Sequence, residues 1–217
     1  MKGDDVRSAW IGPAWLLVVA ITALVALGGL TFFGSPWTEP LVLDGRWFAG
    51  ALLGGAARLF AFRIHRRARI AVDSPIYISV AFDLGVLHAA WLVFFVLAMD
   101  GVVRTGWRVA TEGAPGALNG RRLLERVYIA TAPTLVMLVL GGLFRLNALP
   151  ETMEMQSLLV FVPTFTASFL VLHYFAAGQL HWFDGGTSRA ILREYFVRVV
   201  SIELFLIPLT VALIVAL

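Results

Sequence analysis

Four stretches of the chain run for 14 to 25 residues without a single charged side chain, and they constrain the fold more than any other feature. They are residues 9–33, 127–144, 155–172 and 204–217. A helix of about 20 apolar residues crosses the ~30 Å hydrocarbon layer of a bilayer. Since 59% of the residues are hydrophobic and only 14% are charged, a water-soluble fold could not bury the apolar surface. The sequence predicts an all-α fold, a polytopic transmembrane helical bundle forming a single integral membrane domain over residues 1–217.

The number of membrane passes depends on how residues 34–104 are divided. One reading has five long helices, with 75–99 as one span and 34–74 outside. A second adds a short helix at 47–62. A third has seven passes, in which 70–104 is a short hairpin that turns near Gly85. The predicted helices of this third reading are 9–33, 47–62, 70–86, 88–104, 127–147, 156–180 and 199–217.

The distribution of basic residues favours the seven-pass reading. Lys and Arg in short loops stay on the cytoplasmic side, and only the hairpin at 70–104 places 14 of the 17 basic residues on one side. Arg46 and Arg145 then lie outside, and Arg58 lies within a helix. The sequence therefore predicts a cytoplasmic N-terminus.

An arginine-rich segment follows the short helix at 47–62. Arg63, Arg66, Arg67 and Arg69 fall within seven residues. On the cytoplasmic side each would be attracted to anionic headgroups, so these four arginines are predicted to contact lipid headgroups.

Three ionisable residues inside the predicted helices are candidate ligand-binding residues, because charge within a membrane is costly and marks function. Asp83 and His88 flank the predicted turn, and either could bind a cation, a polar ligand or a proton; the alternative is that they cap the turn's backbone. Arg58 either snorkels to the interface or pairs with Asp83.

His173 is the fourth candidate ligand-binding residue and lies within the helix at 156–180. With His88 on another helix, it forms the one bis-histidine pair in the sequence that would suit haem. The identity of any cofactor is unknown from the sequence, and no metal site is predicted.

Small residues in "GALLGG" lie at a spacing that lets membrane helices approach closely. Gly50 and Gly54 are four residues apart, and Gly55 directly follows Gly54. We expect helix packing within the chain at these positions, and a partner contact is the alternative.

No catalytic motif is present. The sequence has no H-E-x-x-H, no P-loop and no G-x-S-x-G with matching partners, and it has no cysteine for thiolate chemistry. We expect a protein that is not an enzyme and that has no catalytic residues.

The order of features resembles the multi-helix membrane sensor regions that precede bacterial cyclic-di-GMP enzymes of the HD-GYP and GGDEF types. The resemblance rests on "RIAVDSPIYISVAFDLGVLHAAWLVFFVLAMDGVVR", on "LNGRRLLERVYIATAP" and on the closing "ELFLIPLTVALI", and it covers residues 46–217. In this chain Gly85 is followed by Val-Leu-His, where those regions often have Gly-Pro. No catalytic domain follows, so we expect either a truncated chain or a free-standing subunit whose output passes through a partner.

Three functions remain open. The first is a non-enzymatic sensor or accessory subunit of the bacterial inner membrane. Its partners would be the lipid bilayer and other membrane protein subunits, with no nucleic acid. The second is a small-ligand binding or transport component resembling the substrate-capture subunits of energy-coupling-factor transporters. The third is a haem- or pigment-associated subunit of an electron-transfer or photosynthetic complex.

Overall fold

The structure, a computed structural model, describes residues 4–34, 40–65, 68–70, 73–112, 120–144, 155–183, 197, 201–202 and 204–216. The elements in chain order are α1 (Asp4–Phe33), α2 (Gly45–Leu59), β1 (Phe62–His65), β2 (Ala68–Ile70), α3 (Ser74–Asp83), α4 (Val86–Glu112), α5 (Gly120–Phe144), α6 (Met155–Phe183) and α7 (Ile207–Ala216). Within the described part of the chain, four helices are long and apolar enough to cross a membrane: α1, α4, α5 and α6. The fold is therefore that of a helical membrane protein.

Contacts between the helices fix their relative directions. Gly50 and Gly54 of α2 approach Leu92 and Val96 of α4, so these two helices run parallel. The same two glycines meet Val80 and then Tyr77 of α3, in reversed order, so α3 runs antiparallel to α2. The pair α2 and α3, here called the α2–α3 hairpin, lies along α4.

The longer helices alternate in direction. Gly141 of α5 lies against Val86 at the start of α4, whereas Arg126 lies beside Gly101 farther along α4. At the other α5 interface, Phe144 contacts Phe161 of α6, and the Tyr128 hydroxyl donates to the carbonyl of Ala176. Both α4 and α6 are therefore antiparallel to α5.

These directions define two ends of the bundle. The Gly85 end holds the turn between α3 and α4 together with the start of α2 and the end of α5. The Asp73 end holds the end of α2, the β-strands, the start of α3 and the start of α5. At the Gly85 end, the Trp91 indole N–H donates to Thr31 Oγ1 at 2.9 Å, which places the end of α1 there as well.

A glycine makes the turn between α3 and α4. The Leu84 N–H donates to the Val80 carbonyl and ends α3, and Gly85 follows with φ +93°. A side chain at this φ is strained, so glycine suits the position. The sequence places the turn correctly near this residue.

The helix bounds differ from those predicted around the turn. The arm expected at 70–86 is only ten residues long as α3, and the arm expected at 88–104 extends through 86–112 as α4. The helix predicted at 47–62 ends at Leu59. The strands Phe62–His65 and Ala68–Ile70 pair antiparallel, so the all-α prediction missed a short β-hairpin.

The interior lies mainly around α3 and the first half of α4. Seven of the ten residues of α3 are buried: Ser74, Pro75, Tyr77, Ile78, Ser79, Val80 and Ala81. In α4, Ala89, Ala90, Leu92 and Val93 are all 0% exposed. The alternating run "IYISVAF" is thus a buried helix shielded from lipid on most sides, because α2, α4 and α7 all contact α3.

Candidate functional site

Five charged or polar residues meet at the Asp73 end of the α2–α3 hairpin and form what we call the polar cluster. Its members are Arg58, Asp73, Tyr77, Asp100 and Arg104. Arg58 Nε donates to Asp73 Oδ2 at 2.6 Å, and the Tyr77 hydroxyl donates to the same oxygen at 2.7 Å. Only 5% of the Asp73 side chain and 20% of the Arg58 side chain are exposed. The cluster therefore holds an ion pair that is largely removed from solvent.

Asp73 precedes α3 but does not act as its N-cap. Aspartate before Ser-Pro is typical of a helix N-cap, in which the side chain accepts from the first free backbone N–H groups. Here Asp73 is the residue before α3, but its side chain makes no capping hydrogen bond. The carboxylate instead accepts from Arg58 and Tyr77 and joins α3 to α2.

A second ion pair joins the cluster to α4. Arg104 Nε donates to Asp100 Oδ1 at 2.5 Å, one helical turn away. Arg104 Nη2 also donates to the main-chain carbonyl of Arg58 at 3.2 Å. The same Arg58 carbonyl accepts from the backbone N–H of Ala61 at 3.3 Å, so Arg104 adds a side-chain donor at the carbonyl terminus of α2. Two cations and two anions thus balance across α2, α3 and α4.

His173 of α6 lies beside this cluster. It is within electrostatic range of Arg58 and Asp73, and its ring stacks on Phe169 at 5.7 Å with an interplanar angle of 5°. Its Nδ1 atom is buried and has no hydrogen-bond partner among the described residues. The ring therefore carries a buried polar atom without a partner among the described residues, within electrostatic range of the polar cluster.

Asp83 belongs to the opposite end and pairs with Arg46, whereas Arg58 pairs with Asp73, so the alternative that paired Arg58 with Asp83 is wrong. Arg46 Nη1 donates to Asp83 Oδ1 at 3.1 Å, and Arg46 Nε donates to Asp44 Oδ2 at 3.0 Å. The Arg46 side chain is 57% exposed, and pairs of this kind contribute little to stability. The backbone N–H of Trp47 donates to Asp44, caps α2 and lowers the pKa of that carboxyl.

His88 holds the connection between α1 and α2 onto α4. The Val42 N–H donates to His88 Nε2 at 2.9 Å, and the Trp47 indole N–H donates to the His88 carbonyl at 3.0 Å. His88 Nε2 also lies 3.1 Å from the Val42 carbonyl oxygen, so the ring accepts from the Val42 N–H or donates to the Val42 carbonyl according to its tautomer. His88 Nδ1 is buried and has no hydrogen-bond partner among the described residues. His88 and Asp83 do not form the joint site that their spacing suggested.

Replacing His88 by alanine is expected to release residues 40–44 locally. The lost Val42 hydrogen bond is worth about 1 kcal/mol, which corresponds to a roughly fivefold faster amide exchange. Hydrogen exchange followed by mass spectrometry measures this on peptides covering 40–44. His173→Ala is the control and leaves that exchange unchanged; equal protection in all three proteins would contradict the role given to His88.

The two histidines do not form a haem site. His88 lies at the Gly85 end, bonded to Val42, whereas His173 lies near Arg58 and Asp73 at the other end. The bis-histidine arrangement is therefore wrong, and the haem-associated function loses its ligand pair. No group of three or more His, Asp or Glu side chains that could hold a metal ion occurs among the described residues.

The three glycines predicted for helix packing differ in whether a neighbouring helix lies against them. A Cβ at Gly50 would lie 3.1 Å from Val80 Cγ2, and one at Gly54 would lie 3.3 Å from Val96 Cγ2. Both glycines are buried and let α3 and α4 approach α2, as expected for packing within the chain. Gly55 has nothing within 4 Å of its Cβ position, so only this glycine of the three remains open for a partner.

The arginine-rich segment is described only in part. Arg63 lies in β1 and Arg69 in β2, and their Cα atoms are register partners. Arg66 and Arg67 lie outside the described residues. The predicted contact of these four arginines with headgroups stays a prediction.

Sequence reasoning missed four members of the polar cluster: Asp73, Tyr77, Asp100 and Arg104. The i,i+4 spacing of Asp100 and Arg104 on an apolar helix was a usable signal, because such a pair can neutralise itself within the membrane. Asp73 and Tyr77 share the same spacing at the start of α3.

Comparison with family models, with characterised proteins and with solved structures returns no match.

Proposed function

We propose that the protein is a non-enzymatic integral membrane subunit, of sensor or accessory type, that works through contacts with other membrane components. The observation that carries this proposal is the polar cluster, whose charges pair with one another across α2, α3 and α4. Buried ion pairs add little net stability, and their best-attested use is to fix register. Because the charges of the polar cluster pair with one another, the cluster supports a mechanical role for the α2–α3 hairpin, in which the ion pairs fix the position of the hairpin along α4.

The mechanical role follows from the contacts that hold the α2–α3 hairpin against α4. Arg104 bonds the end of α2, and the close approach at Gly50 and Gly54 fits the hairpin to α4. Sliding the hairpin along α4 would break both, so its positions are discrete, as switching elements require. The last described helix, α7, contacts both α3 and α6. A shift of the hairpin would therefore be passed to α7.

We place this subunit in the bacterial inner membrane with the Asp73 end cytoplasmic. The helix directions support this orientation because the start of α1, the β-strands and the start of α5 all fall on the side to which positive charge sorts. The seven-pass topology follows if the α2–α3 hairpin counts as two short passes.

Cysteine labelling tests the orientation on a background that contains no cysteine. We expect Arg66→Cys and Gly106→Cys to be labelled from the cytoplasmic side by a membrane-impermeant maleimide. Glu151→Cys is expected to be labelled only from the other side. Opposite labelling of positions 66 and 106 would rule out this topology.

Purification in a mild detergent tests the assembly. We expect a companion membrane protein to co-purify and the complex to be larger than the 217-residue chain alone. Gly55→Leu adds bulk to an open position of α2 and is expected to release the companion without lowering the melting temperature. Gly54→Leu is the matched comparison. It adds the same side chain at a buried position, so it should disturb the packing of α2 and lower the melting temperature of the protein.

A monodisperse monomer, both in detergent and in native-lipid discs, would contradict this proposal. Retention of the companion by Gly55→Leu would move the contact away from α2 but leave the proposal in place.

The second candidate is a small-ligand binding or transport component. The observation that favours it is the buried His173 Nδ1, which has no hydrogen-bond partner in the part of the chain that the structure describes and could therefore accept from or donate to a polar ligand. The same purification discriminates between the two functions. A co-purifying ATPase would favour ligand capture, whereas a companion without a nucleotide-binding motif would favour the sensor or accessory role.

A further inference from the structure

The contacts between α2 and α4 bring a second aspartate level with the buried arginine of α2. Gly54 of α2 lies against Val96 of α4, and the two helices run parallel. One helical turn farther along each helix, four residues on, Arg58 comes level with Asp100. Arg104 Nη2 of α4 donates to the main-chain carbonyl of Arg58, so the two helices are still in contact at this level.

Arg58 therefore has an anion on each of two helices. Its Nε atom donates to Asp73 Oδ2 at 2.6 Å, and Asp100 is within electrostatic range of its guanidinium group. Asp100 is held by Arg104, whose Nε donates to Asp100 Oδ1. An ionised carboxylate has two oxygens and accepts several hydrogen bonds, so Asp100 can accept from Arg58 as well as from Arg104.

A transfer of Arg58 between these anions would free α3 from α2. Asp73 directly precedes α3, and one of its oxygens accepts from both Arg58 and the Tyr77 hydroxyl. We propose that the polar cluster is a two-position switch in which Arg58 passes from Asp73 to Asp100, so that α3 separates from α2 while α2 stays on α4. The buried guanidinium keeps a counter-ion in both positions, which avoids the large cost of leaving a buried charge unpaired. Two discrete pairings of one side chain are what a switching element requires.

This inference rests on the mechanical role proposed for the α2–α3 hairpin, and it names the movement. Separation of α3 leaves the close approach of Gly54 to Val96 intact, whereas sliding of the whole hairpin along α4 would break it. Because α7 contacts α3, the movement of α3 is passed to α7. The experiments use the chain without a companion protein, so the switch can fail while the proposed function stands.

Thermal unfolding of the full chain in detergent tests the second pairing. Asp73→Asn removes the first anion and is expected to lower the melting temperature by about 10 °C, because Asp100 is still held by Arg104. Adding Arg104→Met makes Asp100 available to Arg58 and is expected to recover about half of the loss or more. Arg46→Met is the matched control, since it removes an exposed arginine at the Gly85 end. Combined with Asp73→Asn, this control is expected to recover nothing.

Asp100→Asn identifies the cause of the recovery. Added to the double variant Asp73→Asn with Arg104→Met, it removes the second anion and is expected to abolish the recovery. No recovery in the double variant, or a recovery that survives Asp100→Asn, would overturn the switch.

Labelling of a cysteine at position 74 follows the movement in chains that keep Asp73, so it does not depend on the folding of Asp73→Asn. Ser74 is 4% exposed at the start of α3, and the natural chain has no cysteine. Ser74→Cys is therefore expected to react with a maleimide only when α3 separates. Adding Arg104→Met makes Asp100 available to Arg58 and is expected to speed the labelling by roughly fivefold or more. Adding Asp100→Asn as well should return the rate to that of Ser74→Cys alone; an unchanged rate with Arg104→Met, or a faster rate that persists without Asp100, would overturn the switch.

Discussion

Replacing Gly141 by alanine is expected to destabilise the protein by about 3 kcal/mol, as overpacking of a tight contact does. A Cβ at Gly141 would overlap both methyl groups of Val86, Cγ1 and Cγ2, and would lie 2.7 Å from Val86 Cβ. Val86 is the first residue of α4 and directly follows the Gly85 turn, so it has little freedom to move. Denaturant unfolding in detergent micelles measures the change in free energy.

Gly55→Ala is the matched control, since it makes the same change within a helix at a position with open space. Its effect is expected to stay within about 0.5 kcal/mol. Val86→Ala removes the two closest methyl groups, and in combination with Gly141→Ala it should recover part of the loss. If Gly141→Ala were as stable as Gly55→Ala, the close approach of α4 and α5 would be wrong.

Replacing Asp73 by leucine is expected to cost about 3–5 kcal/mol, because it leaves Arg58 buried without its anion. It also removes the acceptor of the Tyr77 hydroxyl. Asp83→Leu is the control, since Asp83 pairs with the exposed Arg46, and its expected cost is about 0–1 kcal/mol. Thermal unfolding of both variants in one detergent makes the comparison.

The double variant Arg58→Met with Asp73→Leu replaces the buried pair by apolar side chains. It is expected to regain most of the stability lost in Asp73→Leu, because no unpaired charge remains. Measuring whether this folded variant still binds the proposed companion tests whether the polar cluster does more than hold the helices in register. Loss of the companion from a stable double variant would assign the cluster to signalling as well as to register. A double variant no more stable than Asp73→Leu would contradict the pairing.

The sequence predicted the features that depend on local pattern. Three of the uncharged stretches, 9–33, 127–144 and 155–172, fall in the long helices α1, α5 and α6, and the position of Gly85 marked the turn between α3 and α4. The small-residue spacing at Gly50 and Gly54 correctly indicated packing within the chain. Each of these follows from a spacing of a few residues, which the sequence displays directly.

The features that depend on helix direction could not be predicted from the sequence. The two nearest aspartates downstream of Arg58 are Asp73 and Asp83, and which of them Arg58 meets depends on α3 running back along α2. The same directions place His88 and His173 at opposite ends of the bundle. Pairing between distant residues is a property of the assembled helices, so composition and spacing could not decide it.

The shortness of α3 has a consequence for how the chain enters the membrane. Ten helical residues span about 15 Å, half of the hydrocarbon thickness, and this is too little for a segment to partition into lipid alone. Its burial depends on α2, which precedes it, and on α4 and α7, which are synthesised after it. During biosynthesis the burial of α3 is therefore completed only after the last of these helices, α7, has been synthesised.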